Sequence, residues 1–339
     1  MSASPVRLAI WGAGTFVRKA HIPSILDIAE RPLEIVAVCS RSQASGEEVA
    51  ALLPHRVSVF TDIDAMLVDD GIDAVDVALP IPLLPDAVRR CLAAGKHVIS
   101  EKPIAPTVAE AETLIEFYAG HGDQVWMVGE NWRYEEAYIA AGQLIRDGAI
   151  GRPLLCDWAL NLPVMPGAPG HRTVWRRAGD FPGGFLLDGG VHHVAGLRAV
   201  LGEIESVSAV MASQRPDLPP ADTMSTSLRF VNGAVGSYSV TYAARSGLAS
   251  SALHVVGSEG SLRVTADAVT LWREGDEPSV RSFETLRSVE RELAAFAHAI
   301  QHGSPHRNSP QQALQDLAVL EAMIAAAETG ARQSVIRSA

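Results

Sequence analysis

Cysteine is scarce in this 339-residue chain: Cys39, Cys91 and Cys156 are odd in number, far apart and without a C-x-x-C spacing. That pattern excludes a disulfide framework and a zinc ribbon. Basic charge is in deficit, with 28 Lys and Arg against 39 Asp and Glu for a formal net charge of −11. Such a field repels a phosphate backbone unless a local basic patch overrides it, and the densest such spot, Arg176-Arg177, is only two charges long. Nucleic acid is therefore not expected as a partner. Long apolar runs are missing as well. The most apolar stretch, 74–84, is broken by Asp76, Pro80 and Pro82, far short of the roughly 20 residues that span a bilayer. The first residues lead straight into an apolar strand, with no basic leader region and no twin arginine, so a cytoplasmic protein without a membrane partner is expected.

What is present is the composition of an ordinary globular protein, and at about 150 residues per domain the length predicts two domains. From Val6 to Val128 short β-rich runs alternate with amphipathic stretches, the pattern of a parallel sheet with helices on both faces. Strands are expected at 6–11, 33–39, 57–60, 74–79, 97–100 and 125–128, and helices at 43–53 and 86–94. Gly95 follows the second helix as a left-handed cap, and Thr107 caps a third that runs to Tyr118, with Glu110 completing a capping box. Beyond a helix at 135–147, strand-like runs succeed one another at 154–161, 204–213, 224–230, 235–242, 253–256, 261–264 and 269–272. Val231-Asn232-Gly233-Ala234 and Ser258-Glu259-Gly260-Ser261 read as hairpin turns whose glycines take φ > 0. One helix, at 191–201, is inserted early, and two more, at 289–302 and 310–329, close the chain. The expected class is α/β: a doubly wound parallel sheet over 1–128, then an α+β domain with a large, mainly antiparallel open sheet over 129–339. The Pro- and Gly-rich stretch 162–184 reads as a mobile or substrate-facing loop.

Gly12-Ala13-Gly14 ends the first strand and opens a helix. Gly12 permits the tight turn, and Gly14 lets the backbone approach a pyrophosphate seated on the free N–H groups of the helix start, where Thr15 and Phe16 stand. The third position of the G-x-G-x-x-G pattern is Val17. After the second strand comes Ser40-Arg41-Ser42, which has no carboxylate for a ribose hydroxyl but a guanidinium and two hydroxyls suited to a 2′-phosphate. NADP is favoured over NAD on that chemistry, unless Arg41 is only a solvated loop residue or stacks on adenine, which would leave the preference open.

Two further motifs carry chemistry. Glu101-Lys102-Pro103 follows the fifth strand and so sets a lysine at the carboxyl edge of the sheet, where doubly wound folds bind ligands. Far downstream, Gly183-Gly184-Phe185-Leu186-Leu187-Asp188-Gly189-Gly190-Val191-His192-His193 places Asp188 and His192 on one face if the stretch is helical. As a metal pair they lack a third ligand at a fitting spacing, so no metal is expected. His193, about 100° further round such a helix, reads as a packing or surface residue, and His21 as a structural histidine. Cys39 reads as a small buried hydrophobe.

Gly12-x-Gly14, Glu101-Lys102-Pro103, Trp175-Arg176 and Gly183-Gly184 leading to Asp188-x-Gly190-x-His192 together resemble the glucose–fructose oxidoreductase, inositol dehydrogenase and rhizopine-catabolism (Gfo/Idh/MocA) family. The resemblance implies an N-terminal Rossmann domain and a C-terminal domain whose sheet makes a homodimer or homotetramer. It also implies NAD(P)-dependent oxidation or reduction of a small polyhydroxy substrate, a sugar, sugar derivative or cyclitol. Carried residue by residue, it makes His192 the general acid/base, Lys102 the donor to the reacting oxygen, and Asp188 the residue that orients the imidazole or grips a substrate hydroxyl. Glu101 supports Lys102 or the cofactor ribose. Leu79-Pro80-Ile81-Pro82 stands where many members have a Thr-Pro-Asn-like stretch, leaving Leu79 and Pro80 as apolar cofactor contacts. Asn131 and Arg133 are implied to line the substrate pocket, and Trp175 and Arg176 to face cofactor or substrate. Two other readings stay open: a reductase of an imine, enone or dihydrodiol-type substrate, and a non-catalytic NADP sensor.

Overall fold

The computed structural model describes residues 4–177, 182–246 and 251–335, and none of its described helices is long and apolar enough to cross a membrane. The chain divides into two compact units, one of residues 1–134 with Arg287–Leu314 and one of Glu135–Leu286 with 315–339. The expected division into 1–128 and 129–339 therefore differs in two respects: the first boundary falls at residue 134, and the segment 287–314 returns to the first unit.

The first unit holds a six-stranded sheet of β1 (Val6–Trp11), β2 (Leu33–Cys39), β3 (Ser58–Phe60), β4 (Ala74–Val77), β5 (His97–Glu101) and β6 (Trp126–Gly129). Every pair is parallel and the order is β3-β2-β1-β4-β5-β6. This is the doubly wound order, in which the strand sequence reverses direction beside β1 and leaves a crevice at the carboxyl ends. β1 and β4 are buried along nearly their whole length, as strands covered on both faces must be. β4 stops at Val77, two residues sooner than expected, because Pro80 opens a 3₁₀ turn at Ile81–Leu83. Thr107 caps the helix Val108–Ala119 by accepting the Glu110 amide, and Gly95 takes φ +75°. The returning helix Ser288–His302 buries Leu293, Phe296 and Ala297 against Val6, Leu8, Ile22 and Ile25. Burying three such side chains is worth several kcal/mol, at about 25 cal/mol per Å² of apolar surface.

The second unit is built on a nine-stranded sheet of β7 (Pro153–Asn161), β8 (Ile204–Ala212), β9 (Thr223–Phe230), β10 (Val235–Thr241), β11 (Leu253–Gly257), β12 (Gly260–Val264), β13 (Ala268–Arg273), β14 (Ser279–Ser282) and β15 (Gln333–Ser334). The order is β14-β13-β12-β11-β7-β10-β9-β8-β15, antiparallel throughout except for the β7–β10 pair. Along β9 burial alternates residue by residue, so one face is packed and the other bare. On the bare face Val235, Leu155 and Val256 pair in register across three strands, all partly exposed. The second hairpin departs from expectation. Gly260 does not take φ > 0; it is the first residue of β12, where a Cβ would lie 2.5 Å from the Trp272 carbonyl oxygen.

Candidate active site

At the carboxyl end of β1 the turn is made by Gly12, whose φ is +132°. A Cβ there would stand 2.3 Å from the Ala78 carbonyl oxygen, so only glycine lets the loop pass this close to the end of β4. A Cβ on Gly14 would meet nothing within 4 Å among the described residues. The backbone is therefore open where the helix begins, and its first N–H groups lack carbonyl partners within the helix. Thr15 and Phe16 are exposed there, while Val17 is buried at the start of a π-helical turn, Val17–His21. These features suit the pyrophosphate of a dinucleotide.

The loop after β2 is more constrained than its sequence suggests. Ser40 is buried and donates through Oγ to the Ser42 carbonyl at 2.7 Å, while the Ser42 hydroxyl caps the helix Gln43–Ala50. Arg41 is exposed. Sequence reasoning missed Arg18, whose guanidinium joins the Ala13 carbonyl (3.2 Å) and Glu48 (3.0 Å) and so ties the glycine turn to that helix. Its position one turn past Gly14 was the available signal.

Beneath the carboxyl ends of β4, β5 and β6 lies a buried polar cluster. His21 Nδ1 is 2.6 Å from Asp76 Oδ2, and its Nε2 is 3.4 Å from Glu101 Oε1. The other oxygen of Glu101 accepts the Lys102 amide at 3.3 Å, and the Lys102–Pro103 peptide is cis. Asn308 donates to Glu292 and to the Glu130 carbonyl oxygen. Burial opposes a charge on His21, but the charge and hydrogen bond of Asp76, followed by Glu101, raise its pKa well above 6.5. Burial, then the negative charge of Glu130, raises Glu292 well above 4.5, which favours its protonated form.

That proton has a thermodynamic consequence. From about pH 4.5 upward the unfolded chain releases it while the folded protein keeps it, so stability falls as pH rises until the folded group ionises. One proton corresponds to about 1.4 kcal/mol per pH unit. Glu292→Gln, which cannot ionise, is expected to remove that slope. Urea unfolding midpoints at pH 5, 5.5 and 6 check this, and parallel pH dependences of the two proteins would refute it. His21 acts in the same direction above about pH 6.5.

Asn131 and Arg133 form part of the same unit. Asn131 Nδ2 donates to Ser288 Oγ at 2.8 Å, and buried Arg133 donates to the Gln312 carbonyl at 3.1 Å, so both hold the returning segment.

In the second unit the helix Gly184–Leu201 begins almost two turns before its expected start, and Asp188 and His192 are one helical turn apart on the same face. Asp188 is buried and accepts from Arg176 Nε at 2.6 Å; the guanidinium lies 4.3 Å from the Trp175 ring centre and donates to Thr173. Trp175, Arg176 and Asp188 thus make one assembly. His192 is half-buried, whereas His193 is buried against the Tyr238 hydroxyl at 2.6 Å, a packing role as expected. Tyr242 was missed. A Cβ on Gly189 would lie 2.0 Å from its hydroxyl, so the glycine lets this oxygen rest on the helix backbone. The hydroxyl is buried without a hydrogen-bond partner among the described residues, and burial, then the charge of Asp188, holds its pKa far above 10. Of the loop 162–184, residues 178–181 lie outside the described residues. The three cysteines are buried, which pushes Cys39 up to about 11 and Cys91 and Cys156 to about 12 and leaves all three as thiols at neutral pH.

Comparison with known proteins accords with this architecture. A family model described as oxidoreductase family, NAD-binding Rossmann fold, matches residues 6–129, and one described as its C-terminal alpha/beta domain matches 143–335. Dehydrogenase FPY6 of Fusarium mangiferae is 29% identical, covering 98% of this chain and 99% of its own. The crystal structure of an oxidoreductase from Thermotoga maritima superposes with a TM-score of 0.91 at 32% identity, covering 98% of this chain and 99% of that one. The D-xylose 1-dehydrogenase [NADP(+)] of Haloarcula marismortui is 25% identical over 96% of this chain and 92% of its own, and the levoglucosan dehydrogenase of Pseudarthrobacter phenanthrenivorans 29% over 80% and 78%. With both halves matched in order, the chain belongs to the Gfo/Idh/MocA oxidoreductase family and is an NAD(P)-binding dehydrogenase or reductase.

Proposed function

We propose that the protein is an NADP-dependent oxidoreductase that moves hydride between a nicotinamide and a secondary alcohol or ketone of a sugar, sugar derivative or cyclitol. Relatives named for D-xylose and levoglucosan support the substrate class. The observation that carries the cofactor preference is Ser40-Arg41-Ser42 after β2: an exposed guanidinium and no carboxylate in those three positions. A carboxylate there would accept from a ribose hydroxyl and repel a 2′-phosphate; Arg41 does the reverse.

When bound, the nicotinamide supplies a two-electron hydride acceptor or donor at its C4. In the oxidative direction His192 takes the hydroxyl proton as the C–H hydride departs. Lys102 donates a hydrogen bond to the same oxygen and stabilises the negative charge that develops on it. Asp188, fixed by Arg176, lends negative charge to the helix face that carries the imidazolium formed at His192. Retention of Lys102, Asp188 and His192 together supports alcohol chemistry, since imine reduction needs no base for a hydroxyl. The apolar row Val235, Leu155 and Val256 supports a homodimer or homotetramer through the second sheet.

Nicotinamide fluorescence titration tests the cofactor. NADPH is expected to bind at least about 10-fold more tightly than NADH, a difference of about 1.4 kcal/mol, and Arg41→Ala to erase most of it. Tighter binding of NADH would overturn the preference. A screen of aldoses, polyols and cyclitols with their keto forms, followed at the nicotinamide absorbance, tests the substrate class, and turnover confined to imines or enones would refute it.

A further inference from the structure

The His21 side chain stands between two carboxylates from neighbouring strands, and neither contact is explained by packing alone. Asp76 sits in the middle of β4 and is completely buried. Its Oδ1 has no hydrogen-bond partner among the described residues, so this carboxylate is matched by the His21 imidazole at 2.6 Å. The ring is further set by the edge of Phe16, with centroids 5.0 Å apart. What the imidazole offers on its far side is Nε2, 3.4 Å from Glu101 Oε1. Glu101 in turn uses Oε2 to accept the amide hydrogen of Lys102, the next residue. Asp76, His21, Glu101 and the Lys102 backbone therefore form one continuous chain of polar contacts, rooted in the sheet interior and ending where β5 ends.

We propose that His21 is a positioning residue for Lys102: anchored by Asp76, it fixes the rotamer of Glu101, whose second oxygen then holds the turn that presents Lys102. The proposal rests on the reading of Lys102 as the donor to the reacting oxygen. The ionisable groups facing the imidazole are Asp76 from β4 and Glu101 from β5, with Glu292 from the helix Ser288–His302 close by and itself beside Glu130 just beyond β6. With Glu292 protonated and His21 protonated between two carboxylates, both ring nitrogens donate, as a bridge requires. A neutral ring would leave one of the two contacts without a hydrogen.

The chain contains three lysines, Lys19, Lys96 and Lys102, so 15N-lysine labelling gives three backbone amide signals. Asparagine in place of His21 reaches the Nδ1 position and can bond Asp76 only, whereas glutamine reaches the Nε2 position and can bond Glu101. In His21→Asn the Lys102 amide is expected to move and to exchange with solvent at least about 10-fold faster than in the wild type, with Lys96 changed less than about 3-fold. kcat should fall about 10- to 100-fold with the cofactor KM nearly unchanged. His21→Gln should restore most of both. Equal exchange changes at Lys102 and Lys96, or equal impairment by glutamine and asparagine, would show a merely structural histidine and overturn the proposal. Should His21→Asn not fold, the double variant His21→Leu/Asp76→Leu, which removes the buried charge together with the contact to Glu101, should give the same Lys102-specific change, and its absence would equally overturn the proposal. If the Lys102 amide responds as described while Lys102→Met leaves turnover intact, the catalytic reading of Lys102 fails and the positioning stands.

Discussion

A His192→Asn variant is expected to turn over substrate about 10²- to 10⁴-fold more slowly than the wild type, the range over which a positioned general base accelerates proton removal. Asparagine keeps much of the volume of the ring but cannot take up a proton. Lys102→Met should cost about 10²- to 10³-fold, the loss seen when one donor to a developing oxyanion is removed. Both should act on kcat, because the charge they meet is largest in the transition state and small in the bound alcohol. Binding of the nicotinamide cofactor to the free protein should change less than about 3-fold in His192→Asn, which separates lost chemistry from lost assembly. Steady-state kinetics with fluorescence titration read both quantities. Turnover within a few-fold of wild type in either variant would remove that residue from the mechanism. If the two residues serve the same step, the double variant should be little slower than the worse single one.

The largest expected loss of stability lies elsewhere, at Arg198. Its guanidinium is buried in the second unit between Asp316, itself 2% exposed and 2.5 Å away, and the half-exposed Glu203 at 2.7 Å. Burial works against the charge, yet these carboxylates hold its pKa above the usual arginine value. Arg198→Met would leave the Asp316 carboxylate buried without its cation and is expected to cost about 3–5 kcal/mol. The double variant Arg198→Met/Asp316→Leu removes both charges and should recover most of that loss. Urea unfolding followed by far-UV circular dichroism reads the difference. If the single variant lost less than about 1 kcal/mol, the level of an exposed ion pair, the pair would not be acting as a buried one.

Much of this architecture is legible in the sequence because the signals are local. The six parallel strands announce themselves as apolar runs, Thr107 and Glu110 as a cap, and Gly12-x-Gly14 as a turn. Elements without a local signal were missed. β14 is exposed at every residue and so shows no alternation, and β15 is only two residues long. The helix Gly184–Leu201 carries Gly189 and Gly190 in its first turns, which depress helix propensity, and its start follows instead from burial of Phe185, Leu186 and Leu187. Asp76 looked like an interruption of an apolar run. Its partner His21 lies 55 residues earlier, and their meeting depends on β4 lying beside β1, which chain order alone does not reveal. Glu292 was hidden for the same reason, on a helix that belongs with strands from the other end of the chain.

That returning helix sets a schedule for synthesis. The parallel sheet is complete once residue 129 has been made, but Leu293 and Phe296, which cover β1, and Glu292, which joins the His21 cluster, come far later. With roughly 150 residues between Tyr134 and Arg287 and a ribosome adding about 5–20 residues per second, the first unit waits on the order of 10–30 s for its last piece. During that interval the part of its core that Leu293, Phe296 and Ala297 complete is uncovered, a target for chaperones and a hazard for aggregation.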